Sequence, residues 1–361
     1  MTAPPSATSN ISHDPLRIGA IGAGFIAQIA HLYALSRIRE ARVVAIAEPH
    51  DQLRNEVSRR FGIQEAVSDY QDILDRSDID ALVICVPRRA QSGIVTEALS
   101  SSRAVLSEKP MAMTLEEATN MVSIAERSGA IWMVGYMKRY DTGVQHFARQ
   151  LSDLRASGEL GAIIDVSMRD FCGSYGVTPP DHIRRDGRRP VRYPEAPLAP
   201  DFVAADLHND YEYTVNVASH DINLLRLFFG EQISPIAFQV TREGSQRAVF
   251  DSGRFAINLT VAPVDIGRWD QRLDVTFARG RISLILPSPL ARQESASVRI
   301  ERPGAMHVIT IPASEYVWSF EAQARTFVEA AKLRTETATS GAASLADLAI
   351  IAGLWKTVER L

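Results

Sequence analysis

Over its first 135 residues the chain alternates short apolar runs with amphipathic stretches. The apolar runs at 16–21, 42–47, 81–86, 104–107 and 131–135 read as strands. Between them, 25–38, 52–61 and 91–100 carry a helical pattern. The run at 81–86 is almost continuously apolar, as expected of a strand covered on both faces. Thr114 reads as an N-cap, with Glu116 and Glu117 in the first helical turn and Gly129 closing the helix. Strand–helix alternation of this kind predicts an α/β fold: a Rossmann-type, doubly wound parallel sheet.

The pattern changes after about residue 140. A helix over 141–156 leads to a strand-like run at 162–171, then to a Pro- and Arg-rich stretch over 173–210. A helix over 215–229 ends at Gly230. From 233 to 311 the chain reads mostly as strands separated by turns, and helices over 315–333 and 344–359 follow. The expected plan is a disordered arm at 1–15, a dinucleotide-binding domain at 16–140, and a C-terminal α+β domain at 141–361. The last is expected to carry a large open, mostly antiparallel sheet that binds substrate and joins subunits. The free face of such a sheet is expected to be partly apolar, which predicts a homo-oligomer.

Composition narrows the function classes. With 361 residues, 46% of them hydrophobic, the chain can bury sizeable cores. Its formal net charge of -4 gives no electrostatic case for nucleic acid or an anionic membrane. No apolar run approaches the roughly 18 residues needed to span a bilayer. Residues 1–15 are rich in Ser, Thr and Pro and lack the basic start and apolar run of a signal peptide. Cys85 and Cys172 form no CxxC pair and no metal-ligand spacing, which fits a reducing, cytoplasmic compartment. His208 with Asp210 is too weak a pair to suggest zinc, so no metal is expected.

The candidate chemistry begins with Gly22-Ala23-Gly24-Phe25-Ile26-Ala27, between a strand and a helix. Gly22 permits a tight turn, and Gly24 leaves room for a pyrophosphate. Ala27, in place of a third glycine, still lets the helix approach the sheet. Free N–H groups at the helix start would face the phosphates. Glu48, at the end of the second strand, is suited to the adenosine ribose hydroxyls, which favours NAD over NADP. Arg54 and Arg59 are near enough in sequence to blur that preference. Lys109 follows the strand at 104–107, at the sheet edge where ligands of open parallel sheets bind, and Pro110 restricts the backbone after it. Asn216, His220 and Asn223 stand at i, i+4 and i+7 of an otherwise apolar helix, on one expected face. A histidine there can pass a proton to or from a hydroxyl.

These residues carry a family resemblance. The chain resembles the Gfo/Idh/MocA family, the group of glucose–fructose oxidoreductase and inositol dehydrogenase, over nearly its whole length after residue 15. The markers are the run from Ile18 to Gly24, Glu108-Lys109-Pro110, the run from Gly135 to Asp141, and Ser219-His220-Asp221-Ile222-Asn223. The resemblance implies an N-terminal Rossmann domain, a C-terminal domain with an open mixed sheet, NAD(P), dimers or tetramers, and a sugar, polyol or related alcohol as substrate. Residue by residue, it adds Pro87 and Glu108 to the cofactor site and Tyr136 and Arg139 to the substrate site. There are departures: Asn216 and Asn223 stand where the family often has aspartate, and Arg88 and Gln91 where it usually has Asn and His.

The combined expectation is hydride transfer between nicotinamide and a carbinol or ketone carbon. Lys109 polarises the oxygen, His220 moves the proton, and Asn216 with Asn223 orients the substrate. Two alternatives stay open: a non-catalytic cofactor-binding regulator, and an epimerase or lyase with a transient hydride shuttle. Arg184, Arg185, Arg188, Arg189 and Arg192, diluted by Asp181, Asp186 and Glu195, read either as a solvated loop or as a lid that clamps an anionic group.

Overall fold

The computed structural model describes residues 14–172, 182–185, 187, 197–230, 233–264, 266–304, 308–310 and 317–361. The N-terminal arm, Arg188, Arg189 and Arg192 lie outside the described residues.

The first sheet is built from β1 (Leu16–Ile21), β2 (Ala41–Ala47), β3 (Glu65–Val67), β4 (Ala81–Ile84), β5 (Ala104–Ser107) and β6 (Trp132–Val134). All pairs are parallel and the order is β3-β2-β1-β4-β5-β6. The order reverses between β1 and β4, which opens a crevice at their carboxyl ends. The helix after β1 runs through a π-helical stretch, Ala27–Leu32, into α1 (Tyr33–Leu35). Next come α2 (Asp51–Phe61), α3 (Gln71–Leu74), α4 (Arg88–Leu99) and α5 (Leu115–Ser128). Thr114 and Glu117 form a reciprocal capping box at α5, and Gly129 closes it in a left-handed conformation, as the sequence predicts. The sequence reading left out β3 and α3, which are only three and four residues long.

A short 3-10 turn, Met137–Tyr140, leads to α6 (Thr142–Ser157) and β7 (Ile163–Phe171). Asp141 caps α6 and also accepts the Ala296 N–H at 3.0 Å, tying the helix to the second sheet. Next, α7 (His208–Tyr213), a π-helical stretch (Thr214–Ala218) and α8 (Ser219–Phe229) form one helical rod. The strands β8 (Ser234–Val240), β9 (Gln246–Asp251), β10 (Ala256–Ala262), β11 (Asp270–Phe277), β12 (Gly280–Leu286), β13 (Ser297–Glu301) and β14 (Val308–Thr310) complete most of the second sheet. After α9 (Ser319–Leu333) and α10 (Gly341–Trp355), the chain ends in β15 (Val358–Arg360). The order is β14-β13-β12-β11-β7-β10-β9-β8-β15. Only β7/β10 and β8/β15 pair in parallel, so the sheet is mixed and mostly antiparallel. β15 replaces the last turns of the helix predicted to reach residue 359, because those residues pair with β8.

One face of this sheet is buried under α6, α8 and α10. Its outward face alternates to Asp165, Ser167 and Arg169 on β7 and to Asp270, Arg272 and Asp274 on β11. Arg169 pairs with Asp270, and Arg272 with Asp274. These strands therefore present polar side chains outward, while Ile164 of β7, Ile236 of β8 and Ile285 of β12 are exposed apolar residues on the same sheet. The C-terminal helices return to the first sheet. Phe327 and Val328 of α9 share a core with Ile18, Val83 and Leu106. At the start of α10, a Cβ on Gly341 would lie 2.0 Å from the Trp132 ring, so only glycine fits that contact.

Candidate active site

The glycine turn closes as the motif requires. Gly22 has φ +95°, and a Cβ there would fall 2.2 Å from the Cys85 carbonyl oxygen. A Cβ on Gly24 would meet nothing within 4 Å, because Gly24 borders an open cavity of about 530 Å³. Phe25, Ile26, Glu48, Leu53 and Pro87 also line it. The first N–H groups of the helix have no intrahelical acceptor and sit at this opening. Ala27, by contrast, is buried against the core. The open approach at Gly24, the free N–H groups and the carboxylate at the β2 end fit a dinucleotide. Glu48 is buried, and its carboxylate accepts the N–H groups of Ala23 at 3.0 Å and His50 at 3.1 Å. Arg54 donates to the Glu48 backbone oxygen at 2.8 Å and to Asp51 at 2.7 Å.

A second cavity, of about 420 Å³, adjoins the first, and Ile26, Cys85, Val86 and Pro87 line both. Lys109, Lys138, Asp170, Asn216, His220 and Trp269 are among its walls. The Lys109–Pro110 peptide is cis. Gln91 donates to the backbone oxygens of Glu108 and Pro110, so it braces the loop that carries the lysine. The Glu108 carboxylate meets His31 at 2.8 Å and accepts the Lys109 N–H at 3.2 Å. Lys109 Nζ donates to the backbone oxygen of Asn216 at 2.7 Å and to its side-chain Oδ1 at 2.8 Å. Burial lowers the Lys109 pKa to about 8, with Arg88 and Lys138 adding to the fall and Glu108 opposing it. Arg88 itself is paired with Glu212.

His220 is buried, with the Tyr136 ring edge-on at 5.7 Å. Burial, then the charges of Lys109 and Lys138, hold its pKa well below the ordinary imidazole value. It is a neutral imidazole at pH 7, whereas the sequence reading expects one that titrates near neutrality. Its Nδ1 has no hydrogen-bond partner among the described residues.

The expected polar stripe divides. Asn216 and His220 line the cavity, but Asn223 is absent from its wall. Asn223 Oδ1 accepts from Arg139 at 2.8 Å, and its Nδ2 donates to Asp347 at 2.7 Å. Arg139 also donates to the Asn223 backbone oxygen at 3.1 Å. Tyr136, Arg139 and Asn223 therefore stand behind the cavity. The division falls within α8, where His220 and Asn223 are three residues apart and so offset by about 60° around the helix axis.

Sequence reasoning passed over a buried polar chain on the opposite wall. Lys138 Nζ donates to Gln271 Oε1 at 2.7 Å and lies 3.7 Å from Asp170 Oδ2. Gln271 Nε2 donates to Asp221 Oδ1 at 2.6 Å. Asp170 Oδ1 and Asp221 Oδ2 are buried with no hydrogen-bond partner among the described residues. Burial and the Asp170 charge push the Asp221 pKa well above the carboxylate range. Lys138 and Asp221 lie inside two of the sequence markers. Asp170 lies in a strand with no motif, and only the β7–α8 packing brings it here. Cys172, its thiol pushed up to about 11 by burial, meets the Tyr213 hydroxyl at 3.2 Å on the same wall. Among the described residues, no group of three His, Cys, Asp or Glu is placed to hold a metal. No helix among them is long and apolar enough to cross a membrane.

Residues 16–136 match the model of the GFO_IDH_MocA oxidoreductase family, NAD-binding Rossmann fold. The chain is 26% identical over 314 residues to the dTDP-3,4-didehydro-2,6-dideoxy-alpha-D-glucose 3-reductase of Saccharopolyspora spinosa, covering 84% of each protein. It is 22% identical over 351 residues to the inositol 2-dehydrogenase of Rhizobium meliloti, covering 93% of this chain and 94% of the relative. Among solved structures, a 3-ketoreductase from Actinomadura kijaniata in complex with NADP and TDP-benzene superposes with a TM-score of 0.76 at 19% identity. That superposition covers 96% of this chain and 99% of the other, and it establishes the shared fold.

Proposed function

We propose that the chain, whose residues 16–136 match the GFO_IDH_MocA oxidoreductase family model, is a nicotinamide-dependent oxidoreductase that transfers hydride to or from a sugar, polyol or sugar-derived substrate, with Lys109 moving the proton. The observation that carries this reading is the position of Lys109 Nζ. It stands on the wall of a cavity that adjoins the cavity over the glycine turn. When bound, the nicotinamide supplies the hydride donor or acceptor. Gly22, Gly24, Phe25, Ile26, Glu48 and Pro87 would hold the dinucleotide, with Glu108 bracing the lysine loop beside it.

In the oxidation direction, neutral Lys109 accepts the proton of the substrate hydroxyl; in reduction, charged Lys109 returns it. A pKa of about 8 lets both forms exist near neutral pH. Asn216 fixes the amine by accepting two of its hydrogen bonds. Neutral His220 orients the substrate oxygen by a hydrogen bond and carries no charge of its own. The apolar walls around Ile26, Val86 and Leu290 keep water from the reacting carbon.

The cofactor reading favours NAD. A 2′-phosphate at the β2 end would face the Glu48 carboxylate, and Arg54 is already engaged there by Asp51 and the Glu48 backbone. Calorimetric titration should find NADH bound more tightly than NADPH; equal or reversed affinities would remove Glu48 from this role. The domain division near residue 140, cytoplasmic residence and a dimer or tetramer are further parts of the reading. Its family supports an oligomer, and sedimentation showing only monomer at micromolar concentration would contradict it.

A further inference from the structure

The cavity over the glycine turn has a wall that comes from far along the chain. His182, Ile183, Arg184 and Arg185, from the arginine-rich stretch, line it together with Gly22, Gly24 and Glu48. This contact is built from buried parts. Gln28, 2% exposed, donates from Nε2 to the Ile183 oxygen at 3.0 Å, and its Oε1 accepts the Ile183 N–H at 2.9 Å. The same Nε2 donates to the Ala23 oxygen in the glycine turn at 2.9 Å. One side-chain amide therefore joins the dinucleotide turn to the insert. Ile183 packs on the core of Leu32, Ile46, Leu53 and Val57, and His182 sets its ring edge against Phe25 at 4.8 Å.

We infer that residues 182–185 are a built part of the cofactor site, with Arg184 and Arg185 as ligands for the dinucleotide pyrophosphate. The inference rests on the cofactor reading above. Both arginines are exposed at the cavity, and neither has a hydrogen bond or ion pair to a described residue. A solvated loop would have no reason to dock its backbone on a buried glutamine beside the phosphate turn. Docking fixes the segment, so less side-chain and backbone freedom is lost when an anion arrives. The helix N–H groups and Gly24 already favour an anion at this spot, and two guanidinium groups add charge-assisted donors suited to phosphate oxygens. The second half of the chain thus helps to hold the ligand of the first.

The test is calorimetric titration of the full chain and of an Arg184→Ala/Arg185→Ala variant with NADH, NADPH and ADP, at low and high salt. Both side chains are exposed, and an unchanged melting temperature would establish that the variant folds. All three ligands carry a pyrophosphate, so the inference predicts that each weakens by a similar factor. Loss of charge-assisted contacts makes that factor roughly tenfold or more at low salt. The salt dependence of binding should also flatten in the variant. Gln28→Leu, which undocks the segment but keeps the arginines, should weaken the three in parallel. Loss confined to NADPH would assign the arginines to the 2′-phosphate and overturn the inference. Unchanged affinity for all three in the double variant would return the segment to a solvated loop. Failure of the unaltered protein to bind any of the three would instead overturn the cofactor reading itself.

Discussion

Lys109 Nζ donates two hydrogen bonds to a single residue, Asn216, through the backbone oxygen at 2.7 Å and Oδ1 at 2.8 Å. A carboxylate at that position would neutralise the ammonium. An amide holds it without charge, so burial keeps the lysine pKa down at about 8. The amide at residue 216 therefore leaves Lys109 free to titrate near pH 8 in this cavity.

Asn216→Asp tests that relationship. A negative charge in contact with Nζ favours the ammonium form and raises the Lys109 pKa. Oxidation needs the neutral amine, so its rate should rise with pH through an inflection near pH 8 in the unaltered enzyme. In the variant the inflection should move upward. A stationary or downward shift in the pH profile of kcat would show that Lys109 does not control it.

His220→Gln separates the two candidate proton carriers. The imidazole is held neutral by burial and by two lysine charges, so it does not change charge between pH 6 and 8. The variant should lose rate, because a substrate hydrogen bond is displaced, yet keep the inflection near pH 8. If the inflection vanishes, the imidazole is the titrating group and the assignment to Lys109 fails.

The raised pKa of Asp221 beside Asp170 has a spectroscopic consequence. Infrared difference spectra in H2O and D2O at pH 7 should contain a protonated-carboxyl band that Asp221→Asn removes. That variant keeps a donor toward Asp170 and an acceptor for Gln271, so it should stay folded and active. Asp170→Asn takes away the charge partner of Lys138 and should reduce kcat. Absence of a protonated-carboxyl band from the unaltered protein would contradict an Asp221 carboxyl held protonated by its burial beside Asp170.

The sequence made some of this legible and hid the rest, for physical reasons. β4 was readable because a strand covered on both faces is continuously apolar, and the capping box at Thr114 marks the start of α5 by itself. β3 and β15 are three-residue strands held by one neighbour each, too short for a periodic signal. The division of His220 from Asn223 depends on the partners Arg139 and Asp347 that engage Asn223, which residue spacing does not encode. Lys109 and His220 were found because each stands in a local motif. Asp170 was not, because its role arises only where β7 packs beside α8. The docking of Ile183 on Gln28 spans 155 residues and likewise has no local signature.

The central claim is hydride transfer assisted by Lys109, and the most direct measurement follows deuterium. The enzyme would be incubated with NAD and, separately, NADP, and with polyols, monosaccharides and nucleotide-linked sugars deuterated at their carbinol carbons. Nicotinamide absorbance and the deuterium content of nicotinamide C4 would be recorded together. The account predicts that at least one substrate class gives net absorbance change with deuterium at C4. It also predicts that Lys109→Ala lowers the rate by roughly 10²–10³ while the cofactor still binds. Deuterium reaching C4 without net absorbance change would point to a transient shuttle. No transfer to C4 from any class, with the cofactor demonstrably bound, or a Lys109→Ala variant with near-native rate, would contradict the account.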